Sequence, residues 1–294
     1  MISVIITTYK REPAILNRAI ESILRQTYKD IEIIVVDDSP DNYILRQNVK
    51  EVVLDHIRNH KDINICYIAH EKNLGACAAR NTGLKYAKGE YTAYLDDDDE
   101  WLPEKLEKQI KVMLTTDAAL VYCGRICKND VTGIEKEEKV EFHRGMVFEK
   151  LLYNNFIGST SFPLIKTECI KKINGFDVFM QSAQDYDVWL RIAEKNTIDY
   201  IEDPLVIYHE HEGEQITSNP MKKISGLERL NSKYQTYLDA DSLLWWRRNI
   251  ILIPYYAQKG EYIKALKTWI KCIKKRPAKI IANLKYLKNI LMKS

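Results

Sequence analysis

The stretch YTAYLDDDDEW, residues 91–101, joins a short apolar run to four consecutive aspartates. The run from Tyr91 to Leu95 is typical of a buried β-strand, and the acidic residues begin where that strand ends. The same arrangement occurs earlier in the chain, where IEIIVV at residues 31–36 is followed directly by Asp37 and Asp38. Two predicted strands therefore each lead into carboxylates at their carboxyl ends.

Strand and helix patterns alternate along the first hundred residues. The predicted strands are Ser3–Thr8, Ile31–Val36, Ile63–Ala69 and Tyr91–Leu95, and the predicted helices are Pro13–Gln26, Tyr43–Arg58 and Gly75–Ala87. This alternation indicates an α/β fold with a parallel sheet that helices cover on both faces. In open sheets of this kind, ligands bind outside the carboxyl ends of the strands, where the strand order reverses. We therefore expect the polar strand ends to share one crevice.

The remainder of the chain predicts further elements and a second domain. These are a helix from Pro103 to about Leu114, a strand at Ala118–Gly124, an exposed connection or hairpin at Lys128–Glu141, a helix at Asp185–Glu194, short strands at Ile198–Ile201 and Leu205–Tyr208, and helices throughout beyond Pro220. Bulky residues at 245, 246, 255, 256 and 269 are expected to pack these last helices together. The predicted domains are residues 1–220 and a basic helical extension at 221–294.

Composition is that of a folded globular protein with an uneven charge. The 294 residues are 46% hydrophobic and 29% charged, with a net charge of +3 and lysines concentrated towards the C-terminus. The six cysteines show no paired CxxC pattern, which favours a reducing compartment; Cys123 and Cys127 are either half of a metal site or buried strand residues. The first residues do not resemble a secretory signal, and the apolar run 250–253 is far shorter than the roughly 20 residues of a membrane span. We expect a cytoplasmic protein.

The four adjacent aspartates suggest a cation. Like charges this close repel one another unless a positive group shares their space. Magnesium or manganese is commonly held by one or two carboxylates together with phosphate oxygens, so no complete protein cage is needed. The alternative is an acidic turn that caps the helix at Pro103. At the other strand end, Asp38 could accept a hydrogen bond from a nucleobase imide, with the aromatic ring of Tyr9 beside it.

Four segments, in this order and spacing, resemble the family 2 glycosyltransferases of the GT-A fold. They are SVIITTYKR at 3–11, VVDDS at 35–39, NLGACAARNTG at 73–83 and YLDDDDEWLP at 94–103. The resemblance covers roughly residues 1 to 220. It implies a single Rossmann-like nucleotide-binding sheet flanked by helices, and a metal-dependent enzyme that transfers a sugar from a nucleotide-diphosphate donor, with a UDP-sugar expected.

The resemblance also assigns roles to individual residues. The residues expected to contact the donor are Thr7, Tyr9, Arg11, Asp38, Arg80, Asp96 and Asp97. Asp98 and His211 are expected to hold Mn²⁺ or Mg²⁺, although four consecutive aspartates permit more than one register of the DxD motif. A structural salt bridge is the alternative role for Arg80.

The segment QDYDVWLR at 184–191 resembles the acceptor-side ED motif of the family, with Gln184 in place of the usual glutamate. The resemblance makes Asp185 the general base of an inverting transfer to a hydroxyl of a saccharide or lipid-linked acceptor, in the synthesis of cell-surface polysaccharides or other glycans. Its local alternative is a helix N-cap. Because of Gln184, a catalytically impaired module that only binds sugar nucleotides is a second possible function.

Other functions and partners are less favoured by the sequence. A nucleotidyltransferase would normally carry a glycine-rich loop after the first strand, and residues 9–12, YKRE, lack those glycines. Nucleic-acid binding is disfavoured because the predicted nucleotide side of the sheet is acidic. The tail beyond Lys259 alternates lysines with apolar residues, which suits an anionic membrane, a packed helical cap or a dimer interface. The sequence does not indicate an oligomeric state.

Overall fold

The computed structural model describes residues 1–210 and 219–279, and these residues form two compact units. The first unit contains Met1–Leu151, Asn155–Val178 and the described residues from Val188 to Glu210. The second contains Leu152–Asn154, Phe179–Asp187 and the described residues from Asn219 onwards. Two short segments from the predicted catalytic domain thus belong to the same unit as the C-terminal helices.

The first unit is built on a mixed sheet whose order is β3-β2-β1-β4-β8-β6-β9-β5, with β7 paired to β6. The strands are β1 (Ile2–Thr8), β2 (Ile31–Asp37), β3 (Asn64–Ala69), β4 (Tyr91–Asp96), β5 (Glu100–Trp101), β6 (Leu120–Asn129), β7 (Glu135–Glu137), β8 (Leu164–Lys166) and β9 (Ile198–Glu210). Strands β1 to β4 are mutually parallel, as predicted. Because they are parallel, the carboxyl ends of β1, β2 and β4 lie at one edge, and the strand order reverses beside β1.

Helices cover this sheet because their apolar faces match it. The helices up to residue 193 are α1 (Pro13–Leu24), α2 (Arg46–Asn59), α3 (Ala76–Tyr86), α4 (Lys105–Thr115), α5 (Phe148–Tyr153), α6 (Thr167–Lys172) and α7 (Gln184–Ala193). Helix α1 buries Leu16, Ile20 and Ile23 against the sheet core. A Cβ atom at Gly83 of α3 would lie 2.4 Å from Cγ2 of Ile5, so glycine permits the close approach of α3 to β1.

Several predicted elements differ from the structure in extent, most clearly β9 and α4. Strand β9 is one strand of 13 residues, where two short strands were predicted. Its register against β6 shifts around Gly124, because a bulge accommodates the residues between Ile201 and Pro204. Helix α4 begins at Lys105 rather than at Pro103, whose carbonyl oxygen instead accepts a hydrogen bond from the backbone of Thr27 at 2.8 Å. The hairpin alternative for the charged connection is confirmed by the pairing of β6 with β7.

Residues 219–279, the described C-terminal part of the second unit, are mainly helical, as predicted. The helices are α8 (Pro220–Lys233), α9 (Gln235–Ala240), α10 (Ser242–Ile250), α11 (Ile253–Gln258) and α12 (Tyr262–Lys275), followed by a short 3-10 helix at Pro277–Lys279. Trp246 and Tyr256 are buried in their common core, and Trp245, Tyr255 and Trp269 pack against it, which confirms the predicted packing role of these residues. Among the described helices, none has both the length and the hydrophobicity to span a bilayer.

Candidate active site

Asp96 ends β4 and is held by a cation and two hydroxyl groups. Arg80 Nη2 lies 2.8 Å from Asp96 Oδ1, and the hydroxyls of Ser159 and Thr160 donate to the same carboxylate at 2.9 Å each. Burial by itself would raise the pKa of Asp96, but Arg80 and the two hydroxyl donors outweigh it and lower that pKa. The salt bridge proposed as the alternative role of Arg80 is therefore present.

Arg11 connects the loop after β1 to the loop after β4. Its Nη2 lies 2.7 Å from Asp97 Oδ1 and 2.9 Å from Asp98 Oδ2. Asp97 is only 4% exposed, and burial raises its pKa to about 6 although Arg11 opposes the shift. Within residues 1–210 and 219–279, Asp97 Oδ2 has no hydrogen-bond partner.

The last two aspartates of the run differ in environment. The side chain of Asp98 is 21% exposed, and its carbonyl oxygen accepts a hydrogen bond from Arg18 at 2.7 Å. Asp99 is buried, accepts from the hydroxyl of Ser161 at 2.6 Å and from the backbone N–H of His209 at 3.3 Å, and has a pKa raised well above its ordinary value by burial. Asp98 thus faces solvent, whereas Asp99 connects loops inside the protein.

Asp38 follows β2 and fixes the loop that precedes α3. Its two carboxylate oxygens accept hydrogen bonds from the backbone N–H groups of Leu74 and Gly75, each at 2.8 Å. The imidazole Nδ1 of His70 lies 2.8 Å from the same carboxylate. Asp38 is 3% exposed, so a nucleobase contact, which stays a prediction, has to use the little oxygen surface that these partners leave.

The β1 end of the crevice carries an exposed aromatic ring. Thr7 lies beside Asp96 in the sheet register, and Thr8 lies beside Asp37. Tyr9 is 45% exposed, and the following residue, Lys10, has a φ of +49°, which is uncommon for a residue with a side chain. The left-handed turn follows the end of the strand, and the ammonium of Lys10 lies 5.4 Å from the centroid of the Tyr9 ring.

The residues of the acidic loop can take part in holding a divalent cation. No group of three or more His, Cys, Asp or Glu side chains in the described part of the chain is arranged to bind a metal alone. Mn²⁺ and Mg²⁺ accept one or two carboxylates with substrate phosphates, and Asp98 together with the unpartnered Asp97 Oδ2 fits that donor chemistry. His211 lies outside the described residues.

Cys123 is a buried residue of β6 and has a pKa raised to about 11 by burial, as expected of a strand cysteine.

Asp185 is the second residue of α7 and belongs to the second unit. The helix begins one residue earlier, so Asp185 lies in its first turn and is not the N-cap. Ala183, just before the helix, has a φ of +53°, a strained conformation for alanine that is often found beside functional residues. Asp187, two residues after Asp185 in the same helix, is fully buried, and its carboxylate lies 2.6 Å from the Lys233 ammonium. The other described candidate site residues all belong to the first unit, and Asp185 belongs to the second.

Sequence reasoning missed the hydroxyl residues that support the acidic loop. Ser159 and Thr160 hold Asp96, and Ser161 binds both Asp99 and the backbone N–H of Asp96. The one available signal was the run of three hydroxyl residues after Gly158, whose φ is +88°. Such a run has no fixed spacing to the aspartates, which lie more than 60 positions earlier.

Comparisons with known proteins agree on one family. The family model described as Glycosyl transferase family 2 matches residues 3–173. The putative colanic acid biosynthesis glycosyl transferase WcaA of Escherichia coli K12 is 31% identical over 275 residues, which cover 86% of this chain and 93% of that protein. The Escherichia coli protein WfgD, a UDP-Glc:alpha-D-GlcNAc-diphosphoundecaprenol beta-1,3-glucosyltransferase, is 34% identical over 203 residues, 68% of this chain and 73% of WfgD.

A solved structure shows the same fold. The mannosyltransferase PcManGT from Pyrobaculum calidifontis, in complex with GDP-Man and Mn²⁺, superposes with a TM-score of 0.61 and covers 99% of this chain and 86% of that one. At 18% sequence identity, this likeness concerns the fold alone.

Proposed function

The chain belongs to glycosyl transferase family 2 and is a glycosyltransferase, and we propose that it is metal-dependent and inverts the anomeric centre of its donor sugar. The observation that carries this proposal is the contact of Arg11, from the β1 end, with Asp97 and Asp98, from the β4 end. This contact places a guanidinium and two carboxylates at the edge of the sheet where the strand order reverses. Open α/β sheets bind nucleotides at that edge.

The proposed donor is a nucleotide-diphosphate sugar, with UDP as the expected nucleotide. In this proposal Tyr9 stacks on the base, Thr7 and Asp38 bind the nucleoside, and Asp96 and Asp97 lie near the ribose. Arg11 and Arg80 supply positive charge for the diphosphate. The names of two similar proteins support this donor class, since WfgD is described as using UDP-Glc and PcManGT was solved with GDP-Man.

The proposed metal ion is Mn²⁺ or Mg²⁺, held by Asp98 and the free oxygen of Asp97, with His211 as a further candidate ligand. When bound, such an ion neutralises the negative charge that develops on the leaving diphosphate. The chain itself contributes Arg11, whose guanidinium contacts both carboxylates and, in this proposal, supplies positive charge to the diphosphate. PcManGT, which was solved with Mn²⁺, supports a divalent cation of this kind.

Asp185 is the proposed general base. It would take the proton from the acceptor hydroxyl as that oxygen attacks, a contribution of about 10²- to 10⁴-fold in rate. A single in-line displacement then inverts the anomeric centre. The left-handed Ala183 before α7 supports a functional role for the start of this helix. Gln184 stands where the family has a second acid, so Asp185 acts here without that neighbouring charge.

The proposed acceptor is a saccharide or lipid-linked saccharide in the synthesis of cell-surface polysaccharide, on the cytoplasmic side of the membrane. WcaA is named for colanic acid biosynthesis, and WfgD is named for an acceptor on diphosphoundecaprenol. A lipid-linked acceptor would require the enzyme to meet a membrane surface.

A nucleotide-sugar panel tests the proposal. Thermal shift with UDP- and GDP-sugars, each with MnCl₂, MgCl₂ or EDTA, should show metal-dependent stabilisation by one donor class, and that donor should release nucleoside diphosphate when saccharides are added. Stabilisation without release or transfer under any condition would favour the binding-module alternative that Gln184 suggests. Equal turnover in EDTA would contradict metal dependence.

A further inference from the structure

Helix α12 carries more apolar surface than the protein core covers. Its core-facing edge is Ala265 and Cys272, which are fully buried. Four large apolar residues on the adjoining face are exposed, with Ile263 at 74% and Leu266 at 48%. The exposed residues, here named the apolar stripe, are Tyr262, Ile263, Leu266 and Ile270. At 3.6 residues per turn they lie on one continuous side of the helix.

Lysines of α12 border the apolar stripe on the side away from the core. The helix contains five lysines and no aspartate or glutamate. Lys264 pairs with Glu228 at 2.7 Å. Within the residues that the structure describes, Lys267, Lys271 and Lys274 form no ion pair. Lys267 and Lys274 are each four residues from Ile263 or Ile270, so they flank the stripe directly.

We propose that the apolar stripe and these three lysines dock α12 on an anionic lipid surface. Apolar side chains at the edge of a bilayer bury themselves among the acyl chains, while lysines beside them reach the phosphate groups. A second copy of the same face is a poorer occupant, because it would bring unpaired lysines against unpaired lysines. At about 21 Å, a 14-residue helix lies along a bilayer surface and does not cross it. This proposal does not depend on the donor site.

Vesicle sedimentation of the full chain tests the proposal. The protein should bind vesicles of phosphatidylcholine mixed with phosphatidylglycerol, and should not bind pure phosphatidylcholine. The combined variant Lys267→Gln, Lys271→Gln and Lys274→Gln should weaken binding about five-fold per lysine. A matched control, Lys61→Gln, Lys85→Gln and Lys111→Gln, removes the same charge from exposed positions of the first unit and should bind nearly as well as the unaltered protein.

A second pair of variants tests the apolar contribution. Ile263→Ser with Leu266→Ser should weaken binding more than ten-fold. The control Ile44→Ser with Leu114→Ser alters two residues that are also exposed and should leave binding unchanged. Thermal unfolding should be unaltered in all four variants.

Three results would overturn the proposal. One is unchanged vesicle binding by both α12 variants, and another is equal binding to neutral and anionic vesicles. The third is self-association, seen by light scattering without lipid, that the stripe variant abolishes while vesicle binding persists, since a second copy would then occupy this face. Donor hydrolysis in solution is a separate readout, so failure here leaves the proposed function untouched.

Discussion

Arg11 Nη2 lies 2.7 Å from Oδ1 of Asp97, although the two residues are 86 positions apart in the chain. The contact joins the loop after β1 to the acidic loop after β4 and gives the buried Asp97 carboxylate its cation. The same nitrogen also lies 2.9 Å from Asp98, so a single side chain pairs with both candidate metal-binding aspartates.

Replacing Arg11 should destabilise the free enzyme. Arg11→Gln leaves the buried Asp97 carboxylate without its cation, and removal of one partner from such a pair costs about 3 kcal/mol of unfolding free energy. Urea unfolding at neutral pH measures the loss. Arg58→Gln, which removes an exposed guanidinium from α2, should have almost no effect. Equal stability of the two variants would show that the Arg11 contact is not maintained in solution.

Asp98 and Asp99 should behave differently although they are adjacent. Asp98→Asn should abolish the manganese-dependent part of UDP affinity in titration calorimetry, because the solvent-facing carboxylate is lost. Asp99→Asn should keep that affinity, since the Asp99 side chain is buried and its oxygens already accept hydrogen bonds from Ser161 and the backbone of His209. The opposite result would assign the metal to the inner carboxylate.

Tyr9 should matter for donor binding and not for folding. Its ring is 45% exposed, so Tyr9→Ala removes little core packing. Loss of stacking on a base should raise the Kd for UDP about ten-fold. Tyr86→Ala at the end of α3 is a matched control with a similarly exposed ring. Retained affinity in Tyr9→Phe would attribute the contact to the ring rather than to the hydroxyl.

Asp185 and Asp187 separate catalysis from structure within one helix turn. Asp185→Asn should abolish transfer while the Kd of the donor stays nearly unchanged. Asp187→Asn breaks the buried pair with Lys233 and should lower the melting temperature instead. Titration calorimetry of the donor, an assay of product formation and thermal unfolding distinguish the effects of the two variants. Turnover near the normal rate in Asp185→Asn would remove it as the base.

Lys105 should make stability depend on alkaline pH. Burial beside the Trp101 ring lowers the pKa of Lys105 to about 8. Between pH 8 and 10.5 the folded protein has lost this proton and the unfolded chain still binds it, so unfolding free energy rises with pH, by up to about 3 kcal/mol. Lys105→Met should remove this component of the pH dependence, and Lys111→Met on the exposed side of α4 should keep it. Parallel pH curves for the unaltered protein and Lys105→Met would refute the assignment.

The sequence by itself determined the order of strands and helices along the chain and the parallel arrangement of the first four strands. It also determined that polar residues lie at the strand ends. These features follow from apolar periodicity and from residues that are close in the chain. The family was likewise readable from four local segments.

Only the tertiary structure decided which groups satisfy the charges. It placed Arg11 on Asp97 and Asp98, the hydroxyls of Ser159 and Thr160 on Asp96, and the backbone of the loop before α3 on Asp38. It also joined two predicted strands into β9 through a bulge. A buried carboxylate must find its partners wherever the folded chain brings donors within about 3 Å, and no local spacing encodes that meeting.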